Sequence, residues 1–345
     1  MSMTPADPVM GAPAGDAVSG AVRLALHLAD GAWHSASAVA AGLGVSVGEV
    51  DGLVARLAAL DTPVAQAAGK LALAAPLDVV DGQALSVRTG ATVLWHPSVP
   101  STQGALKALS ADDDGVVVVG AEHQSAGIGR QGRAWSSPLC AGVWLSCRHR
   151  VGADAGPLQL LGLAVAMELA ETFRARGALV SVKWPNDLML FGRKLGGLLV
   201  DAVRGADGCH LLVVGVGINV HSAPVARDAT GSGFAWLDAA SAAALPAQER
   251  WWHGGWSRQH VATHVIEAIQ AATTTVACGT LESLVDRFAA VDAYHGQCVH
   301  VVDPNEQCLT GRSLGIDTTG AIRLWGEGGL VTVASGRLRP CLGGA

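Results

Sequence analysis

Short apolar runs separated by turn-forming residues constrain the fold of residues 90–290 more than any other feature of the sequence. Brief runs rich in β-branched side chains are typical of buried strands, and longer apolar runs are typical of helices. The predicted elements are strands at Val116–Val119 and Val180–Trp184, a hairpin of Leu198–Val203 with His210–Val216, and helices at Pro157–Arg176 and Gln259–Ala277. The region is therefore predicted to be a domain that mixes strands and helices.

The regions on either side of this domain differ from it in their sequence patterns. Residues 18–82 show helical spacing of apolar residues, a capping box at Ser46–Glu49 and a hairpin over Val64–Ala74, which is the outline of a winged helix-turn-helix-like domain. Residues 295–342 are short strands with a turn about every ten residues, which predicts a small β-barrel. Residues 1–17 are rich in proline, alanine and glycine and are expected to form a disordered tail.

Composition places the chain among globular, cytoplasmic proteins. Half of the 345 residues are apolar and 15% are charged, which excludes a mainly disordered chain. The longest apolar stretch, around Leu158–Leu169, is too short to span a bilayer, and the N-terminus lacks the pattern of a secretory signal, so no membrane partner is expected. The seven cysteines form no C-x-x-C pair, so free thiols in a reducing compartment are expected.

A glycine-rich basic segment, Gln124–Trp135, carries the first chemical signal. Its three glycines let the backbone approach an anion, its two arginines can bind carboxylate or phosphate, and Trp135 offers a flat face. The spacing G-x-G-x-x-G matches the dinucleotide fingerprint, but Trp135, Ser136, Ser137 and Pro138 are poor material for the helix that this fingerprint requires. A plain flexible loop is the alternative interpretation.

Three further segments combine glycine with polar side chains at predicted strand ends. Lys183–Leu188 can place an ammonium group in a cleft, although a turn with a surface lysine fits it equally. Arg193–Asp201 is alternatively a strand softened by glycine, and Gly215–Val220 is alternatively a bulge. Each segment alone is therefore a weak signal.

Taken together, the four segments resemble the biotin–protein ligase family. The family patterns are G-R-G-R-x-G-R-x-W, K-W-P-N-D, K-[LI]-x-G-[IL]-L-[VI]-E and G-x-G-[IL]-N. This sequence has G-I-G-R-Q-G-R-A-W, K-W-P-N-D-L, K-L-G-G-L-L-V-D and G-V-G-I-N-V in the same order. Ser101-Thr102-Gln103 stands where the family has S-T-N, and the resemblance covers about residues 95–340.

The resemblance implies a fold and a reaction. The implied fold is α+β, with a class II tRNA synthetase-like catalytic domain built on a mixed β-sheet over residues 90–290. An SH3-like β-barrel over residues 295–342 would follow it. The reaction joins biotin to ATP as biotinyl-5′-AMP and then transfers biotin to a lysine of the biotin carboxyl carrier domain of a biotin-dependent carboxylase. Mg²⁺ is expected with ATP, although spacing names no ligand for it. A homodimer is a further expectation from the family.

The resemblance also assigns site residues. Lys183 and Arg130 are the catalytic pair, and Lys183 would bridge carboxylate and phosphate. Ser101, Thr102 and Gln124 would hold the biotin ring system, while Gly197, Gly215 and Gly217 would keep the pocket floor open. The full biotin-binding set is Ser101, Thr102, Gln103, Gln124, Gly127, Ile128, Gly129, Arg130, Lys183, Gly197, Gly215 and Gly217. The nucleotide-binding set is Arg130, Arg133, Trp135, Lys183 and Asn219, with Trp135 and Asn219 against adenine.

One departure from the family pattern keeps other functions open. Ile128 replaces the first loop arginine of the family, so weaker retention of the adenylate is expected unless Lys107 or Arg133 compensates. A non-catalytic biotin-sensing transcription factor is therefore one alternative, and a lipoate-type protein ligase, which K-W-P-N-D disfavours, is another. Residues 1–82 resemble the repressor domain of some family members, but three basic against eight acidic side chains give them a net charge of −5, which opposes DNA binding.

Overall fold

The computed structural model describes residues 17–109, 115–154, 156–205, 208–222, 233–240, 255–279 and 282–341. The chain divides into two units, residues 1–77 and 78–345. The boundaries that the sequence suggests at residues 82 and 90 fall inside the second unit. The predicted tail lies outside the described residues, apart from its last residue, which begins the first helix.

The first unit contains three helices and a three-stranded sheet. Its helices are α1 (Ala17–His27), α2 (Ala36–Leu43) and α3 (Val47–Ala59), and its strands are β1 (His34–Ser35), β2 (Val64–Ala67) and β3 (Lys70–Leu73), in the order β1-β3-β2. The predicted capping box is present: Ser46 Oγ accepts from the Glu49 N–H at 3.3 Å, and the Glu49 carboxylate accepts from the Ser46 N–H at 2.7 Å. Leu24, Leu28 and Leu57 are fully buried in this unit.

A seven-stranded mixed sheet organises the second unit. Its strands lie in the order β4-β5-β6-β10-β9-β8-β7, with β4 and β5 parallel and all other neighbours antiparallel. The strands are β4 (Thr92–Val99), β5 (Val117–Gln124), β6 (Gly142–Val151), β7 (Ser181–Lys183), β8 (Asp187–Leu190), β9 (Arg193–Arg204) and β10 (His210–Asn219). The predicted strands and hairpin are all found here, most of them longer than the apolar runs that indicated them.

Helices cover the two faces of this sheet unequally. Alternate strand residues such as Val118, Leu145 and Val216 enter a large core with α6 (Leu161–Arg174) and α7 (Arg258–Ala277). The predicted helix from Pro157 begins as a 3₁₀ turn at Leu158–Leu160. The opposite face meets the short helix α5 (Thr102–Lys107), whose Leu106 packs on Val119 and Val213. The remaining helices are α4 (Gly82–Thr89) and α8 (Glu282–Val291).

A second, five-stranded antiparallel sheet follows α8. Its order is β14-β13-β12-β11-β15, with strands β11 (Cys298–Val302), β12 (Cys308–Ile316), β13 (Ile322–Gly326), β14 (Gly329–Val333) and β15 (Arg337–Pro340). The predicted turns are present: the Asp303 carboxylate accepts from Asn305 N–H, and that of Asp317 accepts from Thr319 N–H. This sheet is joined to the central one by a buried hydrogen bond of 2.9 Å from Trp184 Nε1 to Gly320 O.

One expectation about the cysteines is wrong. Cys298 and Cys341 are joined by a disulfide, with their Cα atoms 5.5 Å apart, although the sequence predicts free thiols only. Their separation of 43 residues gives no local signal of pairing, because β11 and the end of the chain meet only through the sheet. Cys140, Cys147, Cys209, Cys278 and Cys308 are thiols outside any disulfide, as expected.

No single helix in the described part of the chain has the length and apolar character needed to cross a membrane. The bent pair α2 and α3 together meets that criterion by length and composition only.

Candidate active site

One row across the central sheet brings three of the four sequence segments together. Pairing runs from Trp144 to Gly217, from Gly217 to Gly197, and from Gly197 to Asp187, which pairs with Lys183. Directly paired residues point to the same face of a sheet, so this row lies opposite the large apolar core. The motif residues therefore meet because of strand register, although they are far apart in sequence.

A cluster of neutral groups lies at one end of this face. We call Thr102, Gln103, Gln124, Ser137 and Ser146 the amide–hydroxyl cluster. The Gln124 side chain bridges it, since Oε1 accepts from the Thr102 N–H at 2.8 Å and Nε2 donates to Ser137 Oγ at 2.7 Å. Ser146 Oγ donates to Gln103 Oε1 at 2.9 Å and lies 3.0 Å from Thr102 Oγ1. All five side chains are buried, and each has a partner.

The cluster is anchored to an ion pair at the edge of the site. Gln103 Nε2 donates to Asp201 Oδ2 at 3.0 Å and to Val213 O at 3.2 Å. Lys107 Nζ reaches the same carboxylate oxygen at 2.5 Å. Burial alone would raise the pKa of Asp201, but the hydrogen bonds from Lys107 and Gln103 outweigh it, so the pKa of this carboxyl lies below its usual value. Asp201 is therefore a charged acceptor at neutral pH.

Positive charges gather at the other end of the row. Asp187 Oδ1 forms an ion pair with Lys194 Nζ at 2.7 Å, and Asp187 Oδ2 lies 3.4 Å from Lys183 Nζ. The two lysine side chains are 31% and 25% exposed, so a ligand can reach them without unfolding the sheet. One carboxylate thus holds two ammonium groups in place, and the site has a second cation that the sequence analysis did not single out.

The glycine-rich segment supplies the third cation. Arg130 Nη1 donates to Asn186 Oδ1 at 3.0 Å, which ties this loop to the K-W-P-N-D turn. Burial lowers the pKa of Arg130, and nearby Asp187 opposes this effect; a guanidinium nevertheless stays protonated. The loop doubles back on itself through an Ile128–Ala134 bridge and continues without the helix that a dinucleotide fingerprint requires. We call Lys183, Lys194 and Arg130 the cation cluster.

Trp135 lies between the two clusters. Its indole packs edge-on against Trp144, with centroids 6.5 Å apart, and Lys194 Nζ lies 5.1 Å from its ring centroid. The Nε1 atoms of both tryptophans are buried without a hydrogen-bond partner in the described structure. A buried N–H without an acceptor is costly, so neither tryptophan is held in place by its own hydrogen bond and packing positions both indoles.

The predicted pocket-floor glycines lie close to other side chains of the site. A Cβ at Gly215 would meet Gln103 Oε1 at 2.5 Å, and one at Gly217 would meet the Trp135 indole at 2.6 Å. Only glycine therefore fits at these two positions with those side chains where they are. A Cβ at Gly197 would lie 3.4 Å from Asp187 Oδ1 and Lys194 Nζ, which is ordinary contact.

The remaining predicted residues take varied positions. Ser101 is buried and caps α5 by accepting from the Gly104 N–H at 3.4 Å. Asn219, at the end of β10, is buried and donates to Ala235 O at 3.2 Å. Gly127 O and Gly129 N form backbone hydrogen bonds within the loop, to Trp135 N and Arg133 O. The side chains of Ile128 and Arg133 are exposed.

Sequence reasoning missed several residues that complete the site. Ser137 and Ser146 belong to the amide–hydroxyl cluster, Asp187 and Lys194 belong to the charged end, and Trp144 backs Trp135. Trp144 and Ser146 alternate along β6, so strand period 2 places both on the site face once the register is known. Lys194 and Asp187 lie within the family motifs, but the ion pair between them depends on how β8 pairs with β9. No group of three or more His, Cys, Asp or Glu residues among those described could hold a metal ion.

Comparison with known proteins gives this geometry a context. Residues 95–219 match the model of the Biotin/lipoate A/B protein ligase family. The Bifunctional ligase/repressor BirA of Salmonella typhimurium is 31% identical over 307 residues, which are 87% of this chain and 91% of the relative. The chain belongs to the biotin–protein ligase family. The Biotin--[acetyl-CoA-carboxylase] ligase of Mycobacterium tuberculosis is 32% identical over 238 residues, covering 67% of this chain and 81% of the relative.

A solved structure of the same family shares the fold. The biotin protein ligase from Aquifex aeolicus in complex with biotin and ATP superposes with a TM-score of 0.59 at 23% identity, covering 72% of this chain and 99% of that one. At this identity the likeness concerns the fold alone. It agrees with the α+β architecture of a central mixed sheet followed by a C-terminal β-sheet region.

Proposed function

We propose that the chain is an ATP-dependent biotin–protein ligase. It would convert biotin and ATP to biotinyl-5′-AMP and pyrophosphate, and then transfer biotin to a lysine of the biotin carrier domain of a carboxylase. The observation that supports this most directly is the division of one sheet face into a buried neutral cluster and a cation cluster. A neutral ring system attached to a carboxylate fits that division.

The amide–hydroxyl cluster suits the ureido ring of biotin. A ureido group carries N–H donors and one carbonyl acceptor but no charge, and burial of such a group requires matched partners. Thr102 and Gln124 would provide those partners, with Ser101 and Gln103 supporting α5. Gly197, Gly215, Gly217 and Trp135 would line the path toward the carboxylate, and Gly127, Ile128 and Gly129 would cover it.

The cation cluster suits the reacting groups. In the first step, a biotin carboxylate oxygen attacks the α-phosphorus of ATP and pyrophosphate leaves, so two anions must approach each other. Lys183, Lys194 and Arg130 would offset that repulsion and stabilise the charge that develops on phosphate oxygens. Arg133 and Asn219 would contact the nucleotide. Mg²⁺ bound to ATP would neutralise further phosphate charge.

The second step needs no nucleophile from the enzyme. The amine of the carrier lysine attacks the acyl carbon of biotinyl-5′-AMP, an amide bond forms, and AMP leaves with the bonding electron pair. The chain's part is positioning and charge stabilisation, which agrees with a site built from donors and cations.

The decisive experiment is biotin-dependent labelling of a purified biotin carrier domain with MgATP. Wild type is expected to label the carrier, and Lys183→Ala is expected to lose most of this activity. Wild type that binds biotin but does not label the carrier would favour the sensor alternative. Transfer of lipoate in place of biotin would favour the lipoate-type alternative.

The flanking regions carry separate proposals. Three helices and a hairpin in residues 17–77 support a winged helix-turn-helix, and the five strands of residues 298–340 support an SH3-like barrel. DNA binding stays a prediction that charge opposes: Asp51 is exposed on α3, and the Glu49 carboxylate of the same helix is bound to Ser46. Fluorescence anisotropy with duplex DNA, with and without biotin and ATP, tests DNA binding.

The homodimer expected from the family is a separate prediction, and sedimentation velocity tests it.

A further inference from the structure

Hydrogen-bond directions in the amide–hydroxyl cluster can be assigned one after another from its charged anchor. The Asp201 carboxylate and Val213 O only accept, so Gln103 must present its NH₂ group to both. Its Oε1 atom consequently faces Ser146 Oγ, 2.9 Å away. An amide oxygen cannot donate, so the single hydroxyl proton of Ser146 is committed to Gln103.

This commitment fixes the neighbouring hydroxyl. Ser146 Oγ has no second proton, so it must accept in its 3.0 Å contact with Thr102 Oγ1. Gln124 Oε1, 3.2 Å from Thr102 Oγ1, is also an acceptor. Ser146 Oγ and Gln124 Oε1 are thus both acceptors for the hydroxyl proton of Thr102. That proton stays within the cluster, and the Thr102 hydroxyl offers only lone pairs to a ligand. Gln124 uses one N–H on Ser137 Oγ and retains the other.

We propose that Ser146, Gln103 and Asp201, anchored by Lys107, are positioning residues that set the hydrogen-bond polarity of the biotin head-group site. They hold the Thr102 hydroxyl as an acceptor for a ureido N–H and leave one Gln124 N–H for the ureido carbonyl. The inference rests on the proposed function and deepens it: Ser146 and Asp201, which lie outside the predicted biotin-binding set, and Gln103, which lies within it, act through Thr102. The ion pair with Lys107 stabilises the charged form of Asp201, and this carboxylate orients the Gln103 amide.

A double-mutant cycle tests whether Ser146 acts through Thr102. Ser146→Ala is expected to raise the Kd for biotin about fivefold, the effect of one lost hydrogen bond, and to leave the KM for MgATP unchanged. In a Thr102→Val background the same change is expected to add less than about twofold, because the group that it positions is gone. Equal effects in both backgrounds, or a parallel rise in the KM for MgATP, would overturn the proposal.

The chain offers a matched control. Ser313 in β12 is also a fully buried strand serine, but its hydroxyl has no hydrogen-bond partner in the described structure. Ser313→Ala is expected to leave the Kd for biotin unchanged. Should Ser146→Ala fail to fold, Lys107→Met removes the cation that anchors Asp201, from a half-exposed position. Arg88→Met, which removes another exposed basic side chain, is its control. A biotin Kd about twofold higher for Lys107→Met than for Arg88→Met supports the proposal. No difference between those two variants contradicts it.

The polarity itself is tested with 2-iminobiotin, in which a protonated guanidinium replaces the urea and has no carbonyl acceptor. Wild type is expected to bind biotin more than a hundredfold more tightly, because the free Gln124 N–H would face a second donor. Gln124→Glu replaces that donor by an acceptor and is expected to reduce the preference at least tenfold. An unchanged preference overturns the proposal. Absence of carrier labelling by wild type would instead overturn the proposed function, since binding is measured without transfer.

Discussion

The two ends of the candidate site are built on opposite principles. In the amide–hydroxyl cluster every side chain is buried and bound to other protein groups, so the protein alone determines its geometry. In the cation cluster two partly exposed lysines share the single carboxylate of Asp187. Ligand anions can take over either lysine without leaving a buried charge unpaired. Under the proposed function, the difference assigns recognition of the biotin ring to a rigid end and reaction to an adaptable one.

The largest effect is expected from removing a lysine of the adaptable end. Lys183→Ala and Lys194→Ala should each lower the rate of biotinyl-5′-AMP formation by about 10²-fold to 10³-fold, as loss of one preorganised charge does elsewhere. The Kd for biotin should change much less than the rate, because the neutral cluster that holds the ring system is intact. Single-turnover kinetics with labelled ATP, together with calorimetric biotin titration, separates the two quantities. A variant that loses biotin affinity while keeping its rate would break the comparison.

Two glycines on neighbouring strands sharpen the comparison at the next level. Gly215→Ala would push against Gln103 Oε1, so overpacking should raise the KM for biotin about tenfold. Gly197→Ala would face Asp187 and Lys194 at ordinary contact distance, so any loss should appear in kcat. Steady-state kinetics with biotin varied at saturating MgATP measures both. If the two alanines act on the same parameter, the ends are not independent.

Restoring the missing loop charge should have a smaller effect. Ile128 is 51% exposed, so Ile128→Arg can be accommodated without repacking the core. The added charge should slow release of the adenylate about threefold to fivefold, the scale of an exposed ionic contact. Release of radiolabelled intermediate from a preformed complex measures this, with Ile128→Gln as the uncharged control. Equal release rates for both variants would remove the link between Ile128 and adenylate retention.

The smallest effect concerns His221, which belongs to neither cluster. Burial lowers the pKa of His221, but hydrogen bonds to Asp238 at 2.7 Å and Asp78 at 2.9 Å outweigh it and raise that pKa to about 9. A histidine pKa raised on folding stabilises the native state fully below about pH 6.5, and this contribution is lost as pH rises through about 9. The Tm should therefore fall by a few degrees over this window.

Differential scanning calorimetry of wild type and His221→Gln between pH 6 and pH 9.5 checks this prediction. The variant should have a lower Tm at pH 6 and a flatter profile above it. Parallel profiles would show that His221 is not charged in the folded state. A comparable change in biotin Kd over this pH range would show that the rigid end also depends on His221.

Much of this architecture could be predicted from local sequence. Apolar runs located the strands and helices of the second unit, and the Ser46–Glu49 pattern predicted a cap that is present. Motif order located the glycines and Lys183, but not Lys194. The contacts that give the site its character depend on register, which single-sequence patterns do not contain. Ser146 of β6 meets Gln103 only because α5 packs across this face of the sheet, a contact between elements that are distant in sequence. The pairing of Cys298 with Cys341 was hidden for the same reason.

The hydrogen bond from Trp184 to Gly320 affects how the chain is made. On the ribosome, residues 17–77 emerge early and contain their own core of Leu24, Leu28 and Leu57. Trp184 follows the lysine of the K-W-P-N-D motif, yet its acceptor is synthesised 136 residues later. At about 5–20 residues per second, synthesis of the intervening chain takes on the order of ten seconds. Until then the Trp184 indole lacks its hydrogen-bond acceptor, and this interval is when the nascent chain most needs protection from aggregation.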